Sequence, residues 1–151
     1  MTIVIPLVSV LSTGLLVGNE LAVALVIHPV LYSVSDEAHV RVVKPLARRL
    51  GLFMPFWYAA SLVLATLQLL TTGGGALLCW AAVILLGLII VLTILLPVPI
   101  NNKIAGWNLE QLPTDWLNMR RRWDLYHRIR VVLLLGVLVL LVMSALLSHQ
   151  A

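Results

Sequence analysis

Charge is scarce in this sequence, cysteine is almost absent, and acidic side chains are nearly missing from its apolar stretches. Of 151 residues, 11% are charged and 62% hydrophobic, against about 25% charged in an ordinary soluble domain. That shortage excludes both a disordered chain and a water-soluble globule. The single Cys79 excludes an internal disulfide, and within an apolar run it reads as a small packing residue. No basic residue precedes the first apolar run or falls between Thr71 and Gly75. The net charge of +4 is gathered in particular segments rather than spread over a basic surface, so nucleic acid is not an expected partner.

What is present is four apolar runs: Ile3 to Ile27, Leu52 to Leu70, Ala76 to Leu96 and Val131 to Leu147. Each approaches the length of about 20 residues that a helix needs to cross a bilayer. Lipid offers no partners to the backbone, so runs of this length are helices rather than strands. Leu125, Tyr126 and Ile129 extend the last one. The sequence predicts an all-α integral membrane four-helix bundle, one domain over residues 1–151, with spans near 3–27, 52–70, 76–96 and 125–147. Ala22, Val23 and Ala24 resemble a signal-peptide cleavage site. However, the run has no basic lead-in and continues past them, so it is expected to be retained as a span.

The Lys and Arg residues fall between the first two spans (Arg41, Lys44, Arg48, Arg49) and between or beside the last two (Lys103, Arg120, Arg121, Arg122, Arg128, Arg130). The positive-inside rule then predicts both termini outside and both larger connections in the cytoplasm, in a bacterial plasma membrane with lipid as the surrounding partner. Ser35 to Leu50 reads as an amphipathic cytoplasmic segment. Ser35, Asp36 and Glu37 resemble a helix start, and the basic residues then recur as on the wet face of a surface helix. His39 is expected to be exposed there, and Pro45 to kink the segment.

In the first span, Gly14 and Gly18 form a small-xxx-small pair suited to close helix packing, within the bundle or across a homo-oligomer seam. Glu20 is the only acid in any apolar run. At that depth it should face the bundle interior with a partner, as a functional group or a structural hydrogen bond. His28 precedes Pro29, so the helix is expected to end or kink there. On a regular helix Glu20 and His28 stand about 80° apart and about 12 Å along the axis. They can line one cavity, and the alternative for His28 is a helix-end imidazole meeting the negative end of the dipole. At the start of the second span, Phe53, Phe56, Trp57 and Tyr58 suit an interfacial aromatic belt, and Trp57 also suits a pocket wall. Thr71 to Gly75 reads as a tight turn, and the third span, with only Thr93 polar, as structural.

Between Pro97 and Arg130 lie three of five tryptophans and six of ten Lys/Arg residues. Pro97 and Pro99 are expected to end the third span, with Asn101 and Asn102 as caps that can also hold a substrate carbonyl or orient a histidine. Thr114 and Asp115 then suit a helix start. Trp116, Arg120, Trp123, His127 and Arg130 follow at steps of four, three, four and three, which puts all five on one helical stripe. A stripe of amphipathic side chains suits a pocket wall at the membrane–water boundary, where indole faces can stack on a flat ligand or on guanidinium groups.

Asn19 with Glu20, His28 with Pro29, the Pro99 to Asn102 turn, Trp107 and the Trp116-to-Arg130 stripe together resemble the anthrone-oxygenase-like family of small four-helix membrane proteins. The likeness runs over nearly the whole chain. It implies oxidation of a lipophilic small-molecule substrate by dioxygen, as in conversion of an anthrone to an anthraquinone.

Two functional classes follow. The first is a membrane-embedded oxygenase or oxidase, with Glu20, His28, Asn102 and His127 meeting near the cytoplasmic side. Without a cofactor, His127 or Glu20 acts as base. Asn102 and Arg120 then hold the oxyanion, while Trp57, Asn101, Trp107, Trp116, Trp123 and Arg130 surround the substrate. With a metal, His28 and His127 bind one iron or copper and Glu20 supplies oxygen. Asp124 is three residues before His127, the spacing of carboxylate-bridged di-iron helices, but the rest of that ligand set is not evident. The second class is non-enzymatic: a haem-binding electron-transfer anchor clamped by His28 and His127, or a membrane subunit supporting a partner. A transporter fits less well, because no internal repeat is evident.

Overall fold

The computed structural model describes residues 3–73 and 75–150, the side chains of 149 and 150 excepted. The described residues are helical over nearly their whole length, and four helical rods are long and apolar enough to cross a membrane: Val4–Tyr32, Asp36–Thr71, Ala76–Gly106 and Trp116–Ser148. The first comprises α1 (Val4–Ala22), a π-helical turn (Val23–Ile27) and α2 (His28–Tyr32). The second is α3 (Asp36–Thr71), and the third joins α4 (Ala76–Leu95) to α5 (Pro97–Gly106). A short 3₁₀ turn, Leu109–Gln111, leads to α6 (Trp116–Gln150). α6 packs on α1 and α4, and α3 packs on α1, α4 and α5.

Three departures from the sequence reading matter for the site. First, the chain does not stop at His28. The π turn carries the His28 N–H to the Val23 carbonyl, and helix continues through Pro29 to Tyr32. A π turn holds one residue more than an α turn. His28 therefore takes the place of a residue seven steps from Glu20, within about 20° of it, and both share one face.

Second, the amphipathic segment is the opening half of α3 rather than a separate surface helix. Ser35 caps it by accepting from the Ala38 N–H, and both Pro45 and Pro55 lie inside it. At 36 residues this rod is about 54 Å long, well beyond a hydrocarbon core of about 30 Å. Its polar half packs on α5 and the start of α6. Third, Pro97 breaks the helix only at Leu96. Helix resumes as α5, so Asn101 and Asn102 are mid-helix residues rather than caps.

Two apolar cores result. One, in the membrane-spanning half, includes Leu16, Ala65, Ala82, Leu86, Leu134 and Leu141 together with the fully buried Cys79. The other, at the charged end, holds Leu31, Val40, Val43, Ile104, Trp107 and Trp116. Burying His39 belongs to this second core: it is only 2% exposed, contrary to its expected exposure. Gly14 faces Leu138 of α6, whereas Gly18 has nothing beside it, so this pair serves packing within the bundle at one position only. The turn into α4 needs Gly75, with φ at +79° and a Cβ position 2.9 Å from the Ser144 carbonyl oxygen. Gly74 of the expected turn lies outside the described residues.

Candidate functional site

The buried charged and imidazole side chains of the first span and of α6, Glu20, His28, Arg120, Asp124 and His127, sit in a layer between the two cores. On the first span they follow Val17 and precede Leu31; on α6 they follow Trp116 and precede Leu134. The layer divides into two joined clusters.

The inner cluster centres on Glu20, 1% exposed. Its Oε1 accepts from the Tyr58 hydroxyl at 3.0 Å, and its Oε2 accepts from Arg130 Nη2 at 2.7 Å. His127 Nδ1 lies 3.0 Å from the same Oε2 and 2.8 Å from Arg130 Nη2, while its Nε2 lies 3.1 Å from the Glu20 main-chain oxygen. A carbonyl cannot donate, so Nε2 carries a hydrogen. Nδ1 is then bare and accepts from Arg130 Nη2, because a guanidinium can only donate.

The outer cluster centres on Asp124. Its Oδ1 faces Arg120 Nη2 at 3.1 Å and His28 Nδ1 at 3.4 Å, and its Oδ2 accepts from the Tyr32 hydroxyl. Stacked rings join the clusters. The planes of Trp123 and His127 lie 10° apart with centroids at 5.0 Å, His28 packs at 5.0 Å from His127, and Arg120 covers the Trp123 ring at 4.5 Å. Tyr32, His39 and Trp116 continue the ring contacts toward Trp107.

A cavity of about 180 Å³ adjoins the inner cluster. Glu20, Tyr58, Trp123, His127 and Arg130 form its polar wall, Asn19 and Asn101 contribute amides, and Val23, Met54, Ile90, Ile94 and Val98 make it apolar elsewhere. A wider recess of about 560 Å³ lies on the other side of α6, lined by Tyr32, His39, Trp116, Arg121 and Asp124.

The structure therefore brings together Glu20, His28, Arg120, Trp123, Asp124, His127 and Arg130. It does not bring Asn102, which is exposed on α5 because helix continues through that position; Asn101 lines the cavity instead and donates to the Ala47 carbonyl at 3.1 Å. Arg120 is turned to Asp124 rather than to the cavity. Trp57 donates to the Ser12 carbonyl at 3.3 Å and ties α3 to α1. Trp107 and Trp116 belong to the second core. Tyr58, Tyr32 and His39 were not singled out as site residues. Tyr58 carried a signal, as the one hydroxyl in its aromatic cluster. Tyr32 stands four residues beyond His28, one helical turn away.

The carboxylates do not suit a metal cation, because each already faces a guanidinium, Glu20 that of Arg130 and Asp124 that of Arg120. Among the described residues no three His, Cys, Asp or Glu side chains converge as ligands. The His28 and His127 rings touch each other, which leaves no slot for a porphyrin between them.

The family model of the anthrone oxygenases matches residues 40–140. No curated protein and no solved structure matches the chain.

Proposed function

The chain belongs to the anthrone oxygenase family, and we propose that it is a membrane-embedded oxygenase that turns the activated methylene of a lipophilic fused-ring ketone into a carbonyl. The family supports an oxygenase-like activity, and the four long apolar helices support a membrane setting. The observation that carries the particular reading is the Glu20–His127–Arg130 cluster in the wall of an otherwise apolar cavity.

The overall change is R₂CH₂ + O₂ → R₂C=O + H₂O. A methylene beside a conjugated ketone is acidic because its anion delocalises onto oxygen. The base removes a proton from carbon; it comes to rest on His127 Nδ1 and is held there by Glu20 Oε2. Arg130, at the cavity wall, faces the resulting oxyanion and stabilises it where water is excluded. The electron-rich anion reduces dioxygen directly and forms the C–O bond. The peroxide anion takes up a proton to give the hydroperoxide, which then loses the remaining C–H proton and hydroxide, together one water, as the O–O bond breaks, leaving the ketone. Tyr58 fixes the Glu20 carboxylate throughout. No step calls on a metal or haem, in keeping with carboxylates already neutralised by arginine. The clustering of Lys and Arg at the site's end of the bundle supports placing that end in the cytoplasm of a bacterium, with both termini outside.

The test uses purified protein in lipid nanodiscs with anthrone as the probe, following oxygen uptake and quinone absorbance. Equal moles of oxygen consumed and product formed, in protein free of iron and copper, is the expected result. A rate no higher than that of empty nanodiscs would overturn the reading.

A further inference from the structure

We propose that the cavity is entered sideways from the bilayer, through a window between α3 and the α4–α5 junction, and that Ala59 and Ile94 set its width. Identifying the entrant as the ring ketone rests on the oxygenase reading; the window itself does not.

On α3, Gly51, Pro55 and Ala59 recur every four residues, and all three are both exposed and part of the cavity lining. Residues at this spacing form one stripe, here about 12 Å long. Each is smaller than the neighbouring Leu52 and Phe56, exposed to 72% and 71%; at Gly51 the Asn101 amide comes within 3.0 Å of the Cβ position, so the rod is cut back at Pro55 and Ala59. The opposite edge is Ile94, itself 58% exposed and lining the same cavity. A gap bordered by outward-facing apolar side chains at this depth opens to lipid rather than water. Arg48 and Arg49, exposed just before Gly51, put the headgroups at the upper end of the window. The far wall is different: Val23, on the first span, lines the cavity and is 4% exposed.

A lipophilic ketone concentrates in the bilayer, and this route delivers it to Glu20 and His127 without returning it to water. The chemistry at the inner wall can then act on a molecule whose flat apolar body still rests among Ala59, Ile94 and the acyl chains.

The experiment reconstitutes the full chain into phosphatidylcholine vesicles, adds benzophenone as a membrane-dissolved diaryl ketone, illuminates, and maps adducts by mass spectrometry. Val23 should be modified in the unaltered protein. Ala59→Trp and Ile94→Trp, which change exposed rim residues from opposite sides, should each lose the Val23 adduct while lipid-facing Val63 stays modified. Three results would overturn the proposal: an unchanged Val23 adduct in both variants, equal labelling of Val23 by a sulfonated benzophenone confined to water, or no Val23 adduct in the unaltered protein beside a labelled Val63. None of these readings needs turnover, so a failure here is separate from a failure of the oxygenase assay.

Discussion

His127 touches Glu20 twice: Nε2 lies 3.1 Å from the main-chain oxygen and Nδ1 3.0 Å from the carboxylate. The main-chain contact fixes the ring with its second nitrogen beside a carboxylate. Replacing His127 by alanine should lower kcat by about 10²–10⁴-fold, the usual contribution of a positioned general base. Helix content by circular dichroism and elution volume should be unchanged. Turnover equal to the unaltered protein would remove His127 from the reaction.

Arg130 sits 2.7 Å from Glu20, so the carboxylate and the guanidinium depend on each other. Glu20→Gln leaves a mostly buried cation unpaired and is expected to cost about 3–5 kcal/mol, read as a lower thermal midpoint in detergent. Adding Arg130→Met should restore part of the loss. Strictly additive effects would mean that the pair is not coupled.

The Tyr32 hydroxyl and Arg120 both serve Asp124, but their losses should differ. Tyr32→Phe removes one hydrogen bond to a charged group, about 1.5–3 kcal/mol. Asp124→Asn strands Arg120, whose side chain is 3% exposed, and should destabilise more. The reverse order of midpoints would contradict the assignment of Arg120 to Asp124.

Gly75→Ala should destabilise the turn between the second and third spans. Its φ of +79° is a left-handed conformation costing a residue with a Cβ about 1–2 kcal/mol, and the added carbon would meet Ser144. Gly73→Ala, with nothing within 4 Å of its added carbon, is the control and should be near neutral. Equal thermal midpoints for the two variants would refute the steric argument.

The spans were legible because a lipid-crossing helix leaves an unmistakable stretch of apolar residues. Most of the polar layer was legible for a related reason: Glu20, His127 and Arg130 are costly so near the membrane interior unless they meet. Elsewhere local signals misled. His39 and its basic neighbours follow a surface-helix pattern, yet the segment is the opening half of α3 and buries His39 against Tyr32 and Trp116. Pro97 reads as a stop, but as the first residue of α5 its missing N–H costs little. Helix therefore continues, and Asn101 rather than Asn102 is turned to the cavity. Tyr58 stands out in the sequence only as the one hydroxyl of its aromatic cluster, and its partner, Glu20, comes from α1.

The irregular turn between Val23 and Ile27 has a consequence for any attempt to alter chain length in this span. Removing one residue there would leave an ordinary helix with Glu20 and the former His28 still in line, whereas adding one would swing Pro29 and everything beyond it by about a quarter turn or more. Deletions and insertions at this place are thus unequal. The surplus residue acts as slack on one side only.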